Sequence, residues 1–191
     1  HLSFPKFKGV RQIIGMLEKR PDLSFTTEHL LRNPRWQKNF ELLEKHQLSF
    51  DLQLYPEQMT ETADFLCMFP DVPVVIDHAG SPYDQSESGL KLWMNGLASL
   101  AELPNLHIKL SGFGMYDRDW SSESTQLIFD TILENFSSNR IMWGSNFPVE
   151  RLMNPYRFCV SQLLKWLAPL SEEEKNRVAS ETAKNFYRIG E

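Results

Sequence analysis

Two apolar periods alternate along the chain. Five runs repeat every second residue or are continuously apolar, and they predict strands: 6–14 (KFKGVRQII), 48–55 (LSFDLQLY), 72–80 (VPVVIDHAG), 106–113 (LHIKLSGF) and 140–148 (RIMWGSNFP). The segments between them space apolar residues by three and four, as an amphipathic helix requires. A helix over 33–47 takes Asn33 as cap and Pro34 in its first turn, with Trp36, Phe40 and Leu43 on one face. The next opens at Pro56, carries Met59, Ala63 and Leu66, and is stopped by Pro70. A third carries Leu90, Trp93, Met94, Leu97 and Leu100 up to Pro104, and a fourth runs from Ser121 to Phe136. Helices are also predicted from Pro155 to Leu167 and from a Ser171–Glu174 capping box to Gly190. The stretch 23–31 (LSFTTEHLL) fits neither period.

Strand following helix throughout predicts parallel β/α units in one domain over residues 1–191. Five strands suit an open doubly wound sheet or part of an eight-stranded barrel. No glycine-rich phosphate loop follows any strand, which removes the usual argument for an open nucleotide-binding sheet.

Parity along each strand sorts its side chains between two faces. Leu52 and Leu54 belong with covering helices, so Asp51, Gln53 and Tyr55 face the other way; Ile108 and Leu110 likewise oppose His107, Lys109 and Ser111. Arg11 opposes Val10, His78 ends one face with Asp77 on the other, and Asn146 shares a face with Gly144. Arg11, Gln53, His78, Lys109 and Asn146 thus recur near the carboxyl ends of five strands, where α/β folds build their sites.

The blocks VVIDHAGSP, LPNLHIKLSGF, RIMWGSNFPVE and ETAKNFYRI resemble the amidohydrolase-related lactonases. These are the 2-pyrone-4,6-dicarboxylate lactonases and sugar-lactone hydrolases of the metal-dependent hydrolase superfamily. The resemblance implies an α/β fold, a (β/α)8 TIM barrel, of which the chain covers roughly the third strand to the C-terminus. It implies a hydrolase that opens a small lactone or related carboxylate ester with water. A first strand bearing His-x-His, usual in that family, is expected upstream. With it His78 would join a three-histidine site for a divalent metal such as zinc; one imidazole alone makes no site. Asn146 stands where many relatives carry Gly-Ser-Asp-Trp-Pro, and an amide cannot take a proton from water.

The resulting expectation makes His78 and Asn146 the catalytic pair, His78 for proton transfer and Asn146 for orienting water or substrate. Arg11 and Lys109 would hold and polarise the carbonyl, Gln53 and Tyr55 would bond the substrate, and Trp120 would belong to a lid over 115–124. Each has a plainer reading: a rim ion pair for Arg11, a Lys109–Asp51 ion pair, half-buried packing for Gln53 and Tyr55, and Trp120 stapling the following helix. His29, His46 and His107 read as structural, and His1 as a terminal residue. Two other functions stay open, a small-acid-binding barrel that has lost its base and a Schiff-base lyase using Lys109.

Composition narrows the partners. A net charge of −5 with no basic cluster argues against nucleic acid and anionic membrane, and no run approaches the roughly eighteen apolar residues of a membrane span. No signal-peptide pattern opens the chain. Cys67 and Cys159 fall in helix-like apolar segments and read as reduced core thiols of a cytoplasmic protein. The expected partner is a small lactone or carboxylate, and a homo-oligomer is compatible with the sequence.

Overall fold

The computed structural model describes residues 3, 4 and 6–190. His1, read above as a terminal histidine, lies outside them. Five strands, β1 (Gly9–Ile13), β2 (Ser49–Gln53), β3 (Val74–Ile76), β4 (Leu106–Leu110) and β5 (Ile141–Trp143), pair in chain order. Every pairing is parallel. The helices are α1 (Pro34–Lys45), α2 (Met59–Leu66), α3 (Glu87–Ala101), α4 (Gln126–Asn135), α5 (Tyr156–Leu167), α6 (Glu172–Asn176) and α7 (Thr182–Tyr187). The order is that of a (β/α) barrel, of which these residues build a five-stranded part.

Local chemistry explains most boundaries. Asn33 Oδ1 accepts from the amides of Arg35 and Trp36 at 2.9 and 3.2 Å, and Pro34 occupies the first turn of α1. Ser171 and Glu174 close the capping box of α6. Between α6 and α7 a π-helical turn, Arg177–Glu181, interrupts what the periodicity reads as one helix. The fourth helix starts later than expected because Ser121 and Ser124 bond to each other's backbone, and Thr125 Oγ1 donates to Ser121 O at 2.6 Å. The stretch 23–31 supplies no strand; 3-10 turns form at Pro21–Leu23 and Leu30–Arg32.

Two predicted strands end early. β3 stops at Ile76 because His78, Ala79, Gly80 and Ser81 take φ of 56°, 53°, 70° and 56°. β5 stops at Trp143, and Asn146 follows with φ 54°. Left-handed backbone is uncommon outside glycine and marks a constrained turn. Cys159 is buried as expected, but Cys67 is exposed where α2 ends, so it is no core thiol; both are free.

The main core lies between the outward face of the sheet and the helices. Leu52, Ile108 and Leu110 meet Trp93, Leu97, Phe129 and Trp166 there, each no more than 1% exposed. A smaller core sits on the inward face, where Phe186 of α7 meets Val75 and Met142. Arg188 donates to Lys8 O and Gln47 O at 2.7 and 2.9 Å, and Thr182 Oγ1 donates to Ser138 O at 3.0 Å. All three acceptors precede strands, so α7 closes the amino-terminal end and leaves the carboxyl end for a site. Among the described residues no helix is long and apolar enough to cross a membrane.

Candidate active site

Strand register stacks the inward side chains in layers. Arg11 pairs with Asp51, Asp51 with Val75, and Val75 with His107. One layer nearer the carboxyl ends, Gln53 pairs with Ile13 and Lys109 with Met142. Asp77 follows Ile76, which pairs with Ile108, so it stands level with Lys109 and points inward. Parity alone then predicts His78 on the opposite side. The left-handed backbone at His78 cancels that alternation and brings its imidazole to the same centre. The expected split between Asp77 and His78 is corrected on this ground.

Four charges meet in this layer. Lys109 Nζ lies 2.5 Å from Asp51 Oδ2 and 2.8 Å from Asp77 Oδ1. Arg11 Nε lies 3.0 Å from Asp77 Oδ2, an ion pair without hydrogen-bond alignment. Tyr187 donates to Asp51 Oδ2 at 2.7 Å, and burial, with the Asp51 charge, pushes its hydroxyl above the usual range. Two cations thus face two carboxylates, the arrangement that makes burial of charge tolerable. The Asp77 side chain is 1% exposed, whereas that of Arg11 is 49% exposed.

Above the charges sits the imidazole. Arg11 Nη2 donates to Gln53 Oε1 at 3.1 Å and lies 3.2 Å from His78 Nε2. His78 Nδ1 lies 2.9 Å from Ser111 Oγ. Guanidinium only donates, so Nε2 is the acceptor and the ring proton resides on Nδ1, donated to Ser111. Burial, then the nearby Arg11 and Lys109 charges, pulls the His78 pKa down to about 3.

The other predicted residues are placed differently. Asn146 is partly buried after β5; its carbonyl accepts from Glu150 N at 2.9 Å, and its Nδ2 is buried with no partner among the described residues. No hydrogen bond among the described residues joins it to His78. Lys109 is engaged by two carboxylates rather than pointing free at a carbonyl. Tyr55 donates to Leu23 O at 2.8 Å and packs against Phe25 and Tyr83, pinning the segment after β1 rather than joining the His78 cluster. Trp120 is corrected from lid to core: it is 3% exposed and packs on Phe113, Phe158 and Trp166, with Nε1 bonded to Glu150 at 2.9 Å. Its burial depends on α5, far along the chain.

Asp77, Ser111, Tyr187 and Glu150 were not among the expected site residues. Parity had placed Ser111 inward, and nothing in the sequence ties Tyr187 to Asp51. As for a metal, no three His, Cys, Asp or Glu among the described residues group to hold one. The Arg11 guanidinium, moreover, lies against the unprotonated nitrogen of His78. These residues by themselves do not fit a divalent ion.

The amidohydrolase family model matches residues 1–189. Uncharacterized protein y4mH of Sinorhizobium fredii is 31% identical over 189 residues, covering 99% of this chain and 63% of that protein. The L-fucono-1,5-lactonase of Burkholderia ambifaria is 27% identical over 199 residues, covering 97% of this chain and 62% of the lactonase. The chain therefore spans under two-thirds of the length of these relatives. Among solved structures, an amidohydrolase from Burkholderia multivorans with bound zinc superposes with a TM-score of 0.82 at 23% identity. The match covers 95% of this chain and 64% of that one.

Proposed function

This chain belongs to the amidohydrolase family, and we propose that the protein carrying it hydrolyses a small lactone or related cyclic carboxylate ester. The observation that carries the reading is the convergence of Arg11, Gln53, His78 and Ser111 above a buried charge layer. The similarity to L-fucono-1,5-lactonases gives it a bond type.

In this reading, Arg11 turns its exposed N–H groups to the lactone carbonyl and stabilises the oxyanion as water adds. As Arg11 Nη2 leaves it for the carbonyl, the lone pair of His78 Nε2, unprotonated at neutral pH, takes the proton of that water. The ring C–O bond then breaks, and the leaving oxygen takes the proton back to give the hydroxy acid. Asn146, with its free amide N–H, orients water or substrate and takes no proton. Lys109 acts through Asp77, which it shares with Arg11, and so sets the guanidinium in place. The ion pairs of Lys109 oppose the rival Schiff-base reading, because that ammonium is committed to Asp51 and Asp77. A divalent metal would need ligands beyond the described residues, and the His78 nitrogen it would require already accepts from Arg11. Two free cysteines suit a reducing, cytoplasmic setting.

The test is proton release from a panel of aldono- and pyrone-type lactones, followed in a pH-stat. Turnover of at least one is expected. Binding without turnover, with hydrolysis appearing in Asn146→Asp, would instead identify a barrel that has lost its base.

A further inference from the structure

Two hydrogen-bonding groups behind the imidazole lack partners. Ser111 Oγ accepts from His78 Nδ1 at 2.9 Å, but its own hydroxyl proton finds no acceptor among the described residues. Glu150 is 1% exposed; its Oε1 accepts from Trp120 Nε1 at 2.9 Å, and its Oε2 is buried with no donor among the described residues. A carboxylate oxygen left bare in the interior is costly, and such groups are normally met by protein or by water. The surrounding chain accommodates this carboxylate closely, since any side chain at Gly114 would collide with it. Its amide also donates to Asn146 O at 2.9 Å, which fixes it in the turn that follows β5.

Ser111 and Glu150 share one cavity. With Gly112, Gly144, Ser145 and Trp120 they line a space of about 10 Å³ at the carboxyl ends of β4 and β5. That is room for about one water molecule, which needs roughly two to four polar partners. The missing donor and the missing acceptor both border it.

We propose that Glu150 is a positioning residue that, through one buried water, accepts from the Ser111 hydroxyl and so orients His78. The bonds then run in one direction: Arg11 donates to Nε2, Nδ1–H to Ser111, the Ser111 hydroxyl to water, and water to Glu150. A cation begins the chain and an anion ends it, so each bond polarises the next. The imidazole is held in the tautomer that presents its unprotonated nitrogen to Arg11. The inference rests on His78 as the reacting imidazole in the proposed reaction, not on the identity of any lactone.

A crystal structure that orders waters should show one within hydrogen-bond distance of both Ser111 Oγ and Glu150 Oε2; a dry cavity overturns the proposal. The second readout is exchange of the His78 Nδ1 proton with solvent, followed by NMR on 15N-histidine-labelled protein. Glu150→Gln offers only one neutral acceptor, already used by Trp120, and presents an NH2 group to the water. Exchange should accelerate about tenfold, the scale of a hydrogen bond to a charged group. A folded Glu150→Gln protein with wild-type exchange contradicts the relay, even if its Tm falls as a purely structural role predicts. Should that variant fail to fold, the water in the wild-type crystal decides. Neither readout uses a lactone, so failure of the relay and failure of the proposed reaction remain separate results.

Discussion

On the outward face of the sheet, Leu52, Ile108 and Leu110 press against apolar helix side chains, and their burial needs no particular partner. On the inward face of the same strands, Asp51 and Lys109, with Arg11 and Asp77, are stable only because each has the others. Outward contacts scale with area, so the loss of one leaves its neighbours packed. Inward contacts are charges out of water, so the loss of one strands its partners. Within one fold, the tolerant face carries stability and the intolerant face carries the candidate chemistry.

The sharpest way to break this contrast is Asp77→Ala, which among the described residues takes the only ion-pair partner from Arg11 and one of two from Lys109. Denaturant unfolding should show a loss of about 3–5 kcal/mol. Leu110→Ala should fall in the similar range of about 2–5 kcal/mol, so the double variants decide. Adding Lys109→Met to Asp77→Ala should recover part of the loss, whereas a second outward truncation far from Leu110 should simply add. Additive inward losses would dissolve the distinction.

Acid separates the faces next. The folded protein keeps His78 neutral down to about 3, and burial lowers the His107 pKa as well. The unfolded chain binds those protons from about pH 6.5 downward. The stability held by neutral histidine is therefore complete above that pH and is lost as the pH falls toward 3, by up to about 1.4 kcal/mol per unit for His78. Unfolding midpoints between pH 7 and 5 should fall in wild type and less steeply in His78→Asn. Identical slopes would remove His78 from the buried centre. Across the same range a rate that depends on unprotonated His78 should show no inflection near pH 6.5.

How much of this was legible follows the same division. Periodicity placed all five strands because it reports the outward face, where the alternation of Leu52 and Leu54 or Ile108 and Leu110 is dictated by packing. Parity carried Arg11, Gln53 and Lys109 inward for the same reason. It failed at the end of β3, where the left-handed turn from His78 to Ser81 puts two consecutive residues on one side. Trp120 could not be read as core because Trp166, on which it stacks, belongs to α5. Tyr187 reaches Asp51 from 136 positions away, a pairing that only the closed fold creates.

The smallest effect is expected at Asn146. Its Nδ2 has no partner among the described residues, so Asn146→Ala breaks no side-chain bond there; it should slow turnover less than about tenfold, the scale of one hydrogen bond. A loss equal to that of the imidazole would move the chemistry to the turn after β5.

The central claim, that the reaction centre is the imidazole held between Arg11 and Ser111, is tested most directly by lactone hydrolysis in wild type and His78→Asn. Asparagine tolerates the left-handed backbone at this position, so the turn is preserved while the proton acceptor is lost. kcat should fall at least about a hundredfold on any lactone the wild type opens, with the protein still folded. A folded His78→Asn protein that hydrolyses the same lactone at the wild-type rate would contradict it.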